Sequence, residues 1–244
     1  MKGISLIIPT RNEEKLLAGC LGQFTTELRK KFGIEIIVSD GNSTDATLAI
    51  ASKYTNLIAE HSGESHRQTI AEGRNRGAEQ ASGEILVFLN ADTRIPNSQN
   101  FFERIVLRMA KDTMLAALAV KVQILPEQRK LSDRLFHGFF NQYVHIINLF
   151  GMGMGRGECQ IIRASAFDAV HGYNATLAAG EDFELYNRLR SVGKVKYDGD
   201  LLVYESPRRY RKYGYVRVYF DWIKNGISVL LRKKSVSEVW EEVR

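Results

Sequence analysis

With 244 residues, 44% of them hydrophobic, the chain can bury one substantial core. Its longest uninterrupted apolar run, Met114 to Val120, is too short to span a membrane, and its two cysteines, Cys20 and Cys159, exclude a disulfide framework and a zinc cluster. The net charge of +6 is concentrated: Arg208 to Lys234 holds nine Lys/Arg against the single acid Asp221, which excludes a basic nucleic-acid face along the whole chain and predicts a local anionic partner, a diphosphate or an anionic membrane surface.

Short runs rich in Ile, Val and Leu at Ile4 to Ile8, Glu35 to Ser39, Leu57 to Glu60 and Ile85 to Leu89 read as strands buried on both faces. Between them lie helix-length segments: Leu17 to Leu28, Asp45 to Tyr54 and His66 to Ala81. This βαβ alternation predicts an α/β fold with a parallel sheet and right-handed crossovers. Leu115 to Leu125 reads as a further strand, and Leu131 to Phe150 as a helix with one broad aromatic and aliphatic stripe. Cys159 to Arg163, Val195 to Tyr197 and Leu201 to Tyr204 are short strands, with a helix from Glu181 to Arg190. The expected division is a domain over 1–207, in two parts (1–110 and 111–207), followed by a basic amphipathic extension over 208–244. No apolar leader follows Met1, which predicts a cytoplasmic protein.

In an open parallel sheet, ligands bind beyond the carboxyl ends of the strands. Three strand tips here end in polar clusters: "PTRNEE", "SDGNSTDAT" and "NADTRIP". Asp40 stands at one tip, followed by Gly41 for a tight turn; it is either a turn former or a ligand of a base edge. Asn90 and Asp92, two residues apart in an extended segment, point to one face. A hard cation such as Mg²⁺ takes one or two carboxylates and completes its shell with substrate phosphates. Glu181 and Asp182 are either first-turn acids opposing a helix dipole or functional carboxylates.

The ordered set "SLIIPTRNE", "IIVSDGNSTDAT", "GRNRGAEQASGEILVFLNADT" and "GEDFELYNRLRSVGK" resembles the successive motifs of family-2 glycosyltransferases, which have the GT-A fold. The resemblance covers roughly Met1 to Asp198, and it implies that 1–110 is the nucleotide-binding half and 111–207 the acceptor-binding half of a catalytic domain. It implies a mainly parallel, Rossmann-like sheet with helices on both faces and an inverting transfer of a sugar from a nucleotide-diphosphate donor to a hydroxyl acceptor. On this reading Pro9, Thr10, Arg11 and Glu13 form the first nucleotide-facing loop, Asp40 with Asn42 beside it receives the base, and Arg74 and Asn75 lie beside the donor. Asn90, Ala91 and Asp92 take the place of the Asp-x-Asp motif, so that Asp92 ligates Mg²⁺ or Mn²⁺ while Asn90 removes one negative charge from the usual set. Asp182 becomes the general base and Glu181 positions it. Arg208 and Arg209 clamp the diphosphate or form a solvated basic face.

"GMGMGRGE", Gly151 to Glu158, fits no phosphate-loop spacing and reads as a mobile loop near the acceptor. The pairs His61/His66 and His137/His145 suit no metal, and the sequons at Asn42 and Asn174 carry no weight in a cytoplasmic protein. The stripe Tyr215, Tyr219, Trp222, Ile223, Ile227 and Leu230 can lie in a membrane interface, at the inner membrane surface and beside a lipid-linked acceptor, or pack on the catalytic domain. The rival readings are a sugar-1-phosphate nucleotidyltransferase, which would carry a glycine-rich loop after the first strand, a non-catalytic nucleotide-sugar-binding protein, and a nucleic-acid binder acting through Arg208 to Lys234.

Overall fold

The computed structural model describes residues 3–61, 67–232 and 234–236. In chain order its elements are β1 (Ile4–Thr10), α1 (Leu17–Leu21), α2 (Thr26–Phe32), β2 (Ile34–Asp40), α3 (Thr47–Ala51), β3 (Leu57–Glu60), α4 (Ile70–Glu79), β4 (Ile85–Leu89) and α5 (Ser98–Lys111). There follow β5 (Leu115–Ile124), α6 (Leu131–Leu149), β6 (Cys159–Arg163), α7 (Ala164–Ala169), α8 (Glu181–Leu189), β7 (Lys194–Glu205), α9 (Arg208–Tyr213) and α10 (Tyr215–Arg232). The strands form one seven-stranded sheet in the order β3-β2-β1-β4-β6-β5-β7. Pairing is parallel except around β6, which runs antiparallel to both β4 and β5.

The continuous apolar runs follow from this position, because both faces of the sheet are covered. Ile4, Leu6 and Ile8 of β1 pack with α1, α2 and α5, whereas Ile7 packs with α4 on the other side. The second face also receives Phe140 and Val144 from α6, Phe167 from α7 and Leu185, Tyr186 and Leu189 from α8. α4 approaches the sheet closely through Gly77, where a Cβ would stand 2.5 Å from the Ile7 methyl. A capping box between Thr69 and Glu72 sets its first turn.

Several boundaries differ from expectation for local reasons. The helix expected over Leu17 to Leu28 is two short helices, broken after Leu21, and Thr25 caps the second by accepting from Leu28 N. α3 begins at Thr47 rather than Asp45, because Asp45 accepts from the Thr47 backbone and hydroxyl just before the first turn. The tight turn assigned to Gly41 falls on Asn42 (φ 65°). The two late strands are one, β7, with a register irregularity against β5 between Val120 and Lys121, near where Arg104 and Arg108 hold Asp198. His66, at the expected start of α4, and the last residues of the 208–244 extension, 237–244, lie outside the described residues.

α9 and α10 pack on the second face. Arg211 donates to the buried Asp133 of α6 at 2.8 Å, and Trp222 lies 5.2 Å from Phe140 between ring centroids. Among the described residues, no helix is long and apolar enough to cross a membrane.

Candidate active site

The carboxyl ends of β1, β2 and β4 open on a cleft of about 700 Å³, closed on its far side by α6, α8, α9 and α10. Pro9, Thr10, Arg11 and Glu13 line it from the β1 loop, Arg74 from α4, and Asn90, Ala91 and Asp92 from the β4 tip. Glu181 and Asp182 enter from the start of α8, and Arg208 and Arg209 from α9. Twelve of the expected site residues therefore meet in one place, although they come from five separate segments of the chain.

Asp40 and Asn42 do not line the cleft, although Ser39 and Gly41 do. Asp40 is 1% exposed, and its carboxylate serves the loop. Oδ1 accepts from the hydroxyls of Thr10 (3.1 Å) and Ser43 (2.5 Å), and Oδ2 accepts from Ser43 N (2.8 Å). The turn-forming role, set against base recognition in the sequence, is thus the one with observed partners. Asn42 is exposed at the turn. The two strand-end loops also lock together: Asn12 N donates to Ser43 Oγ and Asn12 Oδ1 accepts from Thr44 N, while Glu13 N donates to Thr47 Oγ1.

Arg74 is buried, and its guanidinium is occupied by protein groups. Nη1 meets Glu181 Oε1 at 2.8 Å, and Nη2 donates to Gly157 O at 2.7 Å and to Asn90 Oδ1 at 3.3 Å. It joins α4, the β4 tip and α8 rather than presenting a free charge, while Asn75 ties α4 to Tyr173. Beside it, Asp182 accepts from Phe183 N at 2.8 Å. Burial first, then the Glu181 charge, push its pKa up to about 7 against the pull of Arg74.

Across the cleft, Arg208 bridges two carboxylates. Nη2 stands 3.0 Å from Glu13 Oε1 and 3.2 Å from Asp92 Oδ2, and Nη1 donates to Glu13 Oε2 at 3.3 Å. Burial raises the Asp92 pKa, with Arg208 opposing and Glu13 and Glu158 adding to the rise. The donor chemistry here fits a divalent ion that takes few protein ligands. Asp92 and Glu13 share one cation and Asn90 is neutral, and among the described residues no group of three or more His, Cys, Asp or Glu could enclose a metal unaided. Such an ion would need substrate phosphates to complete its shell.

The sequence reading missed the floor of the cleft. Arg156 is buried between Glu158 (2.8 Å) and Glu205 (3.1 Å), and the Tyr210 hydroxyl donates to Glu205 at 3.0 Å. His137 beside them is held neutral, its pKa lowered to about 3 by burial and by Arg156. Within "GMGMGRGE", expected to be a mobile loop, Gly151 and Met152 are exposed, whereas Gly153, Gly155 and Arg156 are buried, and a Cβ on Gly155 would lie 2.5 Å from the Tyr186 ring. Two signals pointed here, a charged pair within a glycine run and an acid, Glu205, at the end of a strand.

The fold is an α/β sheet with a polar, carboxylate-lined cleft at its strand ends, and the comparisons with known proteins give its family. The model of Glycosyl transferase family 2 matches residues 5–170, so the chain belongs to that family. Glycosyltransferase AglE of Haloferax volcanii is 39% identical over 91 residues, a match covering 36% of this chain and 30% of AglE. Among solved structures, the mannosyltransferase PcManGT from Pyrobaculum calidifontis in complex with GDP-Man and Mn²⁺ superposes with a TM-score of 0.72 at 17% identity, over 99% of this chain and 65% of that one. Glucosyl-3-phosphoglycerate synthase from Mycobacterium tuberculosis, in complex with Mn²⁺, UDP and phosphoglyceric acid, gives 0.61 at 16% identity, over 94% and 78%. At such identities the structural likeness establishes the GT-A fold. The chain spans about a third of the curated relative and about two thirds of PcManGT.

Proposed function

We propose that this cleft transfers a sugar, with inversion, from a nucleoside-diphosphate donor to a hydroxyl acceptor. The observation that carries the reading is the convergence of Asp92 and Asp182, from the β4 tip and the start of α8, on one cleft joined across by Arg74 and Glu181.

The nucleotide lies over the β1 and β2 tips, bounded by Pro9, Thr10, Ser39 and Gly41, with Asp40 holding the loop from below. The diphosphate reaches toward Arg208, Arg209 and Asp92. Mg²⁺ or Mn²⁺, held by Asp92 with Glu13 nearby, would neutralise the diphosphate charge when bound. Asp182 takes the proton of the acceptor hydroxyl as that oxygen attacks the anomeric carbon. The new bond forms on the face of that carbon opposite the leaving diphosphate, the carbon–oxygen bond to the diphosphate breaks, and the electron pair stays on the diphosphate oxygen, whose charge the guanidinium groups offset. Burial and Glu181 give Asp182 a proton affinity near neutrality, suited to accepting that proton.

The acceptor side has an apolar mouth formed by Phe140, Tyr143, Tyr219 and Trp222. Beyond it, Leu131, Leu135, Phe139, Ile146, Leu149 and Phe150 of the α6 segment and Val216 and Phe220 of α10 are exposed. Arg134, Lys212, Arg217 and Lys224 are exposed on the same elements or the adjoining α9. This combination supports a lipid-linked acceptor presented at an anionic membrane surface. A thermal-shift screen of UDP-, GDP- and dTDP-sugars with and without Mn²⁺ tests the donor reading; no stabilisation by any of them would reject it. Flotation with anionic liposomes tests the acceptor side, where a chain left wholly in the soluble fraction removes the membrane proposal.

A further inference from the structure

Arg208 already occupies the carboxylates that a divalent ion would need. Its fork grips Glu13 through both terminal nitrogens, and one of these nitrogens is shared with Asp92. The three side chains together carry one net negative charge, with the guanidinium at the centre. A metal ion bound to the same Asp92 oxygen at about 2.1 Å would lie within roughly 5.3 Å of Arg208 Nη2, given the 3.2 Å contact. Two cations so placed repel each other unless an anion comes between them. Conversely, a diphosphate approaching alone meets a net negative cluster whose one guanidinium is already engaged. Asn90, neutral and held by Arg74, adds no further anchor for the ion.

We infer that Arg208 is the resident counter-cation of Asp92 and Glu13, and that it changes partners to the diphosphate when metal and donor enter together. This rests on the donor reading above and deepens it, because Arg208 then becomes the element that makes the two ligands bind as a pair. The metal replaces the guanidinium on Asp92, and the released guanidinium finds the charge that the donor brings. No covalent bond changes in this exchange. Linkage requires the effect to be reciprocal: the factor by which nucleotide tightens metal equals the factor by which metal tightens nucleotide.

The test measures free Mn²⁺ by electron paramagnetic resonance in titrations of the full chain, wild type, Arg208→Ala and Arg208→Lys. With Mn²⁺ alone, Arg208→Ala should bind at least about ten-fold more tightly than wild type, and Asp92→Ala added to it should abolish the gain. Arg208→Lys, which restores the charge without the fork, should bind Mn²⁺ about as weakly as wild type. With the nucleoside diphosphate chosen from the donor screen, the wild type should show mutual tightening of five-fold or more, and Arg208→Ala should lose most of it. An Arg208→Ala chain that binds Mn²⁺ no better than wild type overturns the inference. Normal circular dichroism and the Arg208→Lys result separate this outcome from misfolding. The Mn²⁺ arm needs no nucleotide, so failure of every nucleotide to bind rejects the donor reading and with it the partner exchange, whereas failure of the Mn²⁺ arm alone rejects only the role of Arg208.

Discussion

Replacing Asp182 by Asn tests the proposed base through stability as well as rate. Folding raises the pKa of this carboxyl from 3.8 to about 7, so between those values the folded chain keeps a proton that the unfolded chain releases. Stability from this group therefore falls as pH rises through that window, and the full cost is reached above pH 7. At about 1.4 kcal/mol per unit of pKa, the cost is on the order of 4 kcal/mol. Asn keeps an oxygen to accept from Phe183 N and removes the charge that burial and Glu181 oppose. Asp182→Asn should match wild type in stability near pH 4 and exceed it by about 4 kcal/mol at pH 8, or on the order of 10 °C in melting temperature. Turnover should fall about 10²- to 10⁴-fold. Urea unfolding at the two pH values and a rate assay with the donor from the screen read both effects. A stability difference that is the same at pH 4 and pH 8 refutes the burial argument, and undiminished turnover refutes the base assignment.

Arg74→Met should destabilise the chain by about 3–5 kcal/mol at neutral pH, because it leaves Glu181 buried without a cation. Adding Glu181→Leu should recover most of that loss in urea unfolding; a double variant no more stable than the single one would show that the pair is not the cause. Asp40→Ala removes the acceptor for Thr10 and Ser43 and should cost about 1–3 kcal/mol while weakening donor binding. An unchanged melting temperature would mean that the loop is held by other contacts.

The parallel half of the sheet was legible because burial on both faces writes an unbroken apolar run, and β3, β4 and β6 occupy the expected residues. The direction of β6 was not, since periodicity records burial and not which neighbour a strand pairs with. At the site, Glu13, Asn90 and Asp92 line one cleft as the strand tips suggested, because polar clusters that close buried parallel strands collect at the carboxyl edge of the sheet. Asp40 obeyed the same rule yet faces the loop, a choice made by Thr10 and Ser43, one of them distant in the chain. Arg156, Glu158 and Glu205 escaped notice because a buried charge looks like any surface charge until its partners are brought together by folding.

The interlocked loops after β1 and β2 carry a consequence for redesign. Glu13, which grips Arg208, sends its own amide to Thr47, and its neighbour Asn12 is bonded to Ser43 and Thr44. Transplanting only one of these loops from a relative would unzip its mate and misplace the acid that anchors the guanidinium. The two segments form a single exchangeable cassette, to be grafted together with the arginine they serve.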